Sequence, residues 1–435
     1  MIQATGESSN QNKSSRGRLE ASFAPLFSEK IITFSFRQVD LIEMVWFNGK
    51  PRHLPTATGP FIPGCSDIML DYNKTGLFLR LFYPTNVKKT DDENWSKWIP
   101  WLPNHLYLIG MSVTIKVRLY LLRLIFWWYG NYHIPVLYGE KVKTEENMKC
   151  IIFSHGLGGS RFLYSKISID LASHGFLVAC LEHRDNSSCH TYYYSSQEDA
   201  AENKKTVIDF QHIPFGENHY EKRNAQIKQR SIECIETIDF FKRLNSGTVP
   251  KNILDDVEER KDNNFRLDDL VGKIDINNFT LFGHSFGAAT VLYTLPKRKE
   301  IKQTVLLDPW MFPIKNENIH EIVDIPLLFV NTQTFHIDSN VKAMAKFMTK
   351  NNREMYTIRQ STHENQTDTV LISRYWLNLF MKKIDPQQAM RINNALVLKF
   401  LHQFVNTPAD VEQYKSYLHQ NAQHFEEGLT KPWKK

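Results

Sequence analysis

Short apolar runs of strand character recur along this chain with helical segments between them, and that alternation restricts the fold more than any other feature. The runs are Phe78-LRLFY-Pro84, Cys150-IIFS-His155, Phe176-LVACL-Glu182, Phe279-TLFG-His284, Thr304-VLLD-Pro309, Pro326-LLFVN-Thr332 and Met355-YTI-Arg359. Each is four to eight residues long and bounded by polar or turn residues, as buried strands are. Helical periodicity marks residues 161–174, 221–244, 286–295, 340–350, 367–383 and 387–405; Ile227, Cys234, Ile235, Ile238 and Phe241 fall close to one face of the second. Strand and helix alternating over short links imply an α/β fold, a mostly parallel sheet with helices on both faces. Such sheets bind ligands beyond the carboxyl ends of their strands, so the turns after these runs are where chemistry is expected.

The chain has 435 residues, 42% of them hydrophobic and 23% charged, which suits one large globular domain with decorated ends. Residues 1–58 read as a loosely attached extension, 59–405 as the folded domain and 406–435 as a polar tail. Two polar insertions, 192–219 and 246–273, read as solvated loops. A net charge of +6 is modest and could favour an anionic membrane surface, and nothing in the chain resembles a nucleic-acid-binding module. The five cysteines show no metal-type spacing and are odd in number, so neither a disulfide framework nor a zinc site is expected; no metal or cofactor is called for. The polar start MIQATGESSN has no apolar signal region, and Ile2 stands where N-myristoylation needs glycine. A cytoplasmic protein, attached to membranes peripherally if at all, is the expectation.

Residues 106–129, LYLIGMSVTIKVRLYLLRLIFWWY, are long enough to span a bilayer. Lys116, Arg118 and Arg123 near the centre each cost about 2.5–3.5 kcal/mol there, which argues against a spanning helix. The segment reads instead as a helix lying in the lipid interface, anchored by Trp127 and Trp128, or as a core-packed helix with exposed cations.

Gly283-His-Ser-Phe-Gly287 fits G-x-S-x-G between an apolar strand and a helix that opens with Ala288 and Ala289. On such a turn the serine is pushed out of the sheet, and its flanking glycines avoid clashes with the neighbouring strand and helix. A serine hydroxyl is a weak nucleophile at neutral pH; it needs an imidazole to take its proton and a carboxylate to hold the imidazole. Asp308 closes the strand 23 residues after Ser285, and His363 follows the last good strand. These are the preferred acid and base, with Asp324, Asp338 and Glu364 as weaker acids and His320 and His336 as weaker bases. Backbone N–H groups of Phe286, after the serine, and Leu157, in the turn Ser154-His-Gly-Leu-Gly-Gly159, are the expected oxyanion donors.

Taken in order, FSHGLGGSRFLYSKISIDLASHGFLVACLEHRD, RNAQIKQRSIEC, GHSFGAATV, LDPWMFP and STHEN resemble the plasma and type II intracellular platelet-activating factor acetylhydrolases, from about Gly59 to about Val405. The resemblance implies an α/β-hydrolase that cleaves sn-2 acetyl, short or oxidised acyl esters of phospholipids without calcium. It places nucleophile, acid and base on Ser285, Asp308 and His363, and the donors on Leu157 and Phe286. It also implies contact with a membrane or lipid-particle surface through part of 106–129. Pro309 and Ala288 depart from the family pattern at positions that could reshape the pocket. A general esterase or lipase acting on neutral esters, and a catalytically inactive lipid-binding protein on the same fold, are the other readings.

Overall fold

The computed structural model describes residues 51–89, 95–129, 132–145, 147–257, 264–374 and 382–431. Ten strands form one sheet, numbered here β1 (Pro63–Met69), β2 (Phe78–Pro84), β3 (Leu137–Tyr138), β4 (Met148–Ser154), β5 (Leu177–Leu181), β6 (Ile274–His284), β7 (Ile301–Leu307), β8 (Leu327–Thr332), β9 (Arg353–Ile358) and β10 (Phe425–Glu427). Their order across the sheet is β10-β9-β8-β7-β6-β4-β5-β2-β1-β3. Every run from β4 to β9 pairs in parallel; β2 runs antiparallel to both its neighbours, and β10 is antiparallel to β9. Burial on both faces explains why the parallel strands read as continuous apolar runs.

Eight helices matter for the site: α1 (His105–Ile115), α2 (Leu119–Tyr129), α3 (Ser165–Ser173), α4 (His219–Asn245), α5 (Phe286–Thr294), α6 (Asp338–Ala345), α7 (Pro386–Val405) and α8 (Glu412–Gln420). One core cluster joins α4 and α5 to the sheet through Ile227, Cys234, Ile238, Phe241, Ala289 and Leu292. The other joins α3 and α7 through Ile167, Leu171, Ile392 and Leu396. The chain leaves β4 to build β5 on one side and later returns to place β6 on the other. The connections therefore diverge between β4 and β6, and a crevice opens at the carboxyl ends of those two strands.

Three strands were not evident as apolar runs: β1, β3 and β10. In β1 the buried Asp67 breaks the pattern; Arg80 holds it through two bonds of 2.7 and 3.0 Å, and Arg161 adds another at 3.1 Å. The segment expected as a polar tail carries α8 and β10, and β10 extends the sheet beside β9. Of the expected extension, residues 1–50 lie outside the described residues, but Leu54 is buried and bonds to the His133 carbonyl, and Thr58 bonds to Asp170. The expected helix 367–383 is a short turn of helix at Thr369–Ser373, with 375–381 outside the described residues.

Residues 106–129 form two helices where one was expected. Lys116 adopts a left-handed conformation, φ 56°, and its N–H closes α1 on the Ser112 carbonyl. This lets α1 and α2 make different contacts. Tyr107 of α1 donates to Glu182 at 2.6 Å in a buried cluster with Arg161, and Gly110 lies so close to Cys189 that a Cβ would stand 2.1 Å from its carbonyl oxygen. α2 buries Leu122 and stacks Phe126 on Trp101. No helix among the described residues is long and apolar enough to cross a membrane.

Candidate active site

Ser285 follows β6 directly and opens α5 with φ 57° and ψ −116°, a conformation that side chains rarely adopt. Two glycines make the turn possible. A Cβ on Gly287 would stand 2.0 Å from the Ser154 carbonyl oxygen, and one on Gly283 would stand 2.5 Å from the Gly287 oxygen. The turn is held because Ser285 N–H donates to Leu307 at 2.8 Å and its carbonyl accepts from Trp310 N–H at 3.1 Å. Asp308 lies at the end of the adjacent strand β7, buried, with φ 43°. One carboxylate oxygen accepts the Thr332 N–H at 2.6 Å; the other accepts the Thr332 hydroxyl and, at 2.8 Å, Nδ1–H of His363.

His363 begins a single helical turn after β9, fixed by reciprocal bonds between Thr362 and Asn365. Its ring lies between Phe335, stacked at 3.9 Å, and His284, at 4.4 Å. The structure thus brings Asp308 and His363 into contact, and the residue preceding Ser285 packs on that same imidazole. Among the described residues no hydrogen bond joins the Ser285 hydroxyl to His363, a bond that in free enzymes often tightens only with substrate. The other candidate bases sit elsewhere: His336 is bonded to Thr430, and His320 lies beside Glu321.

The glycine turn after β4 abuts the serine; a Cβ on Gly156 would stand 3.3 Å from Ser285 Cβ. Neither Leu157 nor Phe286 gives its N–H to another backbone group among the described residues. The turn is braced from below. Gly156 N–H donates to Tyr164 Oη at 2.9 Å, Gly158 N–H to Ser187 at 2.7 Å, and Arg230 Nη1 to the His155 carbonyl at 2.6 Å. His183 joins Ser154 to Glu233, and Tyr164 also bonds His284 Nδ1 at 2.8 Å. Burial, reinforced by the Arg230 charge, holds His155 and His183 well below the usual imidazole range; burial and nearby His363 do the same to His284. Three neutral imidazoles thus surround the site as hydrogen-bonding groups. Sequence reasoning missed Arg230, yet a signal was present: an arginine three residues after Ile227 and four before Cys234, on the buried stripe of α4.

His284, Asp308 and His363 bring possible metal-ligand atoms within 4.8 Å of one another. The two rings lie 31° from parallel, face against face, so their in-plane lone pairs do not converge on one ion.

The backbone of Trp127 and Trp128 lies in α2, and their side chains are outside the described residues. Elsewhere on α1 and α2 Val113, Ile115, Tyr120, Leu121 and Leu124 are exposed apolar residues, and Lys116, Arg118 and Arg123 are exposed cations of the same stretch. α1 also touches the glycine turn: a Cβ on Gly158, φ 71°, would stand 2.1 Å from Thr114 Cγ2.

Residues 47–425 match the family described as platelet-activating factor acetylhydrolase, isoform II. This chain belongs to that family. Over 370 residues it is 35% identical to the platelet-activating factor acetylhydrolase of Bos taurus, covering 83% of this chain and 80% of the relative. The chicken relative of the same name, from Gallus gallus, is 32% identical over 379 residues, covering 84% and 87%. A putative phospholipase A2 of Schizosaccharomyces pombe is 25% identical over 413 residues, covering 81% and 92%. The fold is similar to that of a ferulic acid esterase from Streptomyces cinnamoneus, with TM-score 0.58, 12% identity and coverage of 81% and 93%. That neighbour is an esterase, and the large, mostly parallel sheet with helices described above is an α/β-hydrolase fold. In this chain the serine turn and the carboxylate follow the adjacent parallel strands β6 and β7, and the imidazole follows β9, two strands farther on.

Proposed function

We propose that this protein hydrolyses the sn-2 acetyl or short acyl ester of phospholipids, turning platelet-activating factor into its lyso form and acetate. Ser285 Oγ attacks the ester carbonyl while His363 Nε2 takes its proton. The same imidazole then gives that proton to the leaving lysophospholipid oxygen, and water, activated by His363, clears the acyl group from Ser285. Asp308 fixes His363 with its proton on Nδ1, leaving Nε2 to accept. The developing oxyanion lies against the N–H groups of Leu157 and Phe286, each of which is worth about a hundred- to a thousandfold in rate in comparable sites. No step calls for calcium. The observation that carries this reading is the 2.8 Å bond between His363 Nδ1 and a buried Asp308, one strand from a serine on a strained turn.

The substrate is reached at a lipid surface. We assign the exposed apolar residues and cations of α1 and α2, with Trp127 and Trp128, to the interface of a membrane or lipid particle, with cations snorkelling toward the headgroups. The five cysteines are buried and not joined in disulfides, which suits a reducing, cytoplasmic compartment.

Ser285→Ala should abolish hydrolysis of acetylated choline phospholipid and block labelling by a fluorophosphonate. Near wild-type turnover by this variant would sink the mechanism.

A further inference from the structure

The first turns of α4 carry a cation that no side chain neutralises. Arg223 is 3% exposed, and its side chain makes one hydrogen bond, from Nη1 to Gln226 at 2.8 Å. Its Nε has no partner, and no carboxylate among the described residues pairs with it. The nearby Asp185 is already committed to Arg230 at 3.0 Å and to Ser187. One turn earlier His219, 5% exposed, bonds the Pro214 carbonyl through Nδ1 at 2.9 Å, while its Nε2 also lacks a partner. Burial lowers the Arg223 pKa to about 10, which leaves the guanidinium charged at neutral pH.

His219 and Arg223 are four residues apart, hence on one face, at the start of a 27-residue helix whose N-terminus adds positive potential. Buried polar groups are nearly always satisfied, so two unpartnered groups on one helical face point to a missing ligand, and the charge there makes it an anion. The location is beside the reacting centre. Arg223 lies 5.9 Å from the ring of Phe286, the residue after the serine, and 6.0 Å from Trp310, whose N–H bonds the Ser285 carbonyl. Exposed Phe215 rests on the His219 ring at 4.9 Å.

We propose that Arg223, with His219, is the site that recognises an oxyanion of the substrate: the phosphate diester of the lipid, or a terminal carboxylate on a truncated, oxidised sn-2 chain. The assignment rests on the phospholipid esterase reading above. It makes Arg223 a specificity residue that touches the substrate away from the scissile bond, so its loss should raise KM and leave the chemistry of small esters intact.

The test compares wild type with Arg223→Met, which keeps bulk, and Arg223→Lys, which keeps charge. Four monomeric esters are used: p-nitrophenyl acetate, 1-alkyl-2-acetylglycerol, and choline phospholipids with sn-2 glutaryl or pentanoyl chains. If the phosphate is bound, Arg223→Met raises KM about ten- to a hundredfold for both phospholipids and spares the two phosphate-free esters. If the carboxylate is bound, the loss is confined to the glutaryl lipid. Arg223→Lys should recover part of either effect, and it stands in for the methionine variant if that variant does not fold. Equal losses on all four esters, or none on any, would overturn the proposal. Wild type that cleaves p-nitrophenyl acetate and neither phospholipid would instead refute the function on which it rests.

Discussion

Replacing Asp308 by asparagine tests the catalytic geometry at a point where the structure dictates the outcome. The side chain is buried and takes three donors: Thr332 N–H on one oxygen, and the Thr332 hydroxyl and His363 Nδ1–H on the other. Asparagine keeps one oxygen and gains an NH2 group. Its NH2 cannot face the fixed Thr332 N–H without setting two donors against each other. The Thr332 hydroxyl can rotate to accept, so the amide settles with its NH2 toward His363. There it donates to Nδ1 and drives the proton to Nε2, the tautomer that cannot accept from Ser285. The fold should survive, because the shape is kept and two bonds are merely reversed. Turnover should fall about ten-thousandfold, or about 5.4 kcal/mol in barrier height, as in serine enzymes that lose this carboxylate. The assay is kcat/KM on a soluble ester alongside thermal unfolding. A folded variant that loses less than about tenfold would refute the assignment of Asp308 as the orienting acid.

Leu121→Ser with Leu124→Ser removes two exposed leucines from α2, each worth about 1.5–3 kcal/mol if fully buried in lipid; vesicle binding should weaken at least tenfold while soluble-ester hydrolysis stays unchanged, and equal losses of both would favour a structural role for α2. Arg230→Met leaves Asp185 and the His155 carbonyl without their partner in a fully buried setting; denaturant unfolding should show about 3–5 kcal/mol lost, and unchanged stability would contradict the bracing role. His174, mostly buried against Tyr414, has its pKa lowered to about 4 by burial, so the unfolded chain binds its proton first as pH falls. Stability from this group is therefore intact above about pH 6.5 and declines by about 3 kcal/mol between there and pH 4. Urea titrations of wild type and His174→Gln should converge as pH falls across that window; parallel curves would refute the account.

The parallel strands were legible because burial on both faces removes polar residues from them, and seven runs became β2 and β4 to β9. β1 was hidden for the opposite reason: Asp67 is tolerated inside only because Arg80 and Arg161, distant in sequence, reach it. The region 106–129 advertised its apolar content and its cations but concealed the break at Lys116, where a single left-handed residue ends the first helix. Arg223 and His219 looked like ordinary members of a polar helix start. That Arg223 Nε and His219 Nε2 meet no partner among the described residues is a fact about space, invisible in a list of residues.

Local chemistry dictated that Ser285 stands on a tight turn, since only glycine at 283 and 287 allows backbone oxygens to come so near. It also dictated, through periodicity, that this turn sits at the carboxyl end of a parallel strand. Which carboxylate and which imidazole meet was decided by the packing of β6, β7 and β8, which carries the Thr332 donors to Asp308 and sets His363 between Phe335 and His284. Spacing along a chain cannot distinguish a histidine that reaches a buried carboxylate from one that stops at a nearby carbonyl; distance and orientation in the folded sheet make that choice.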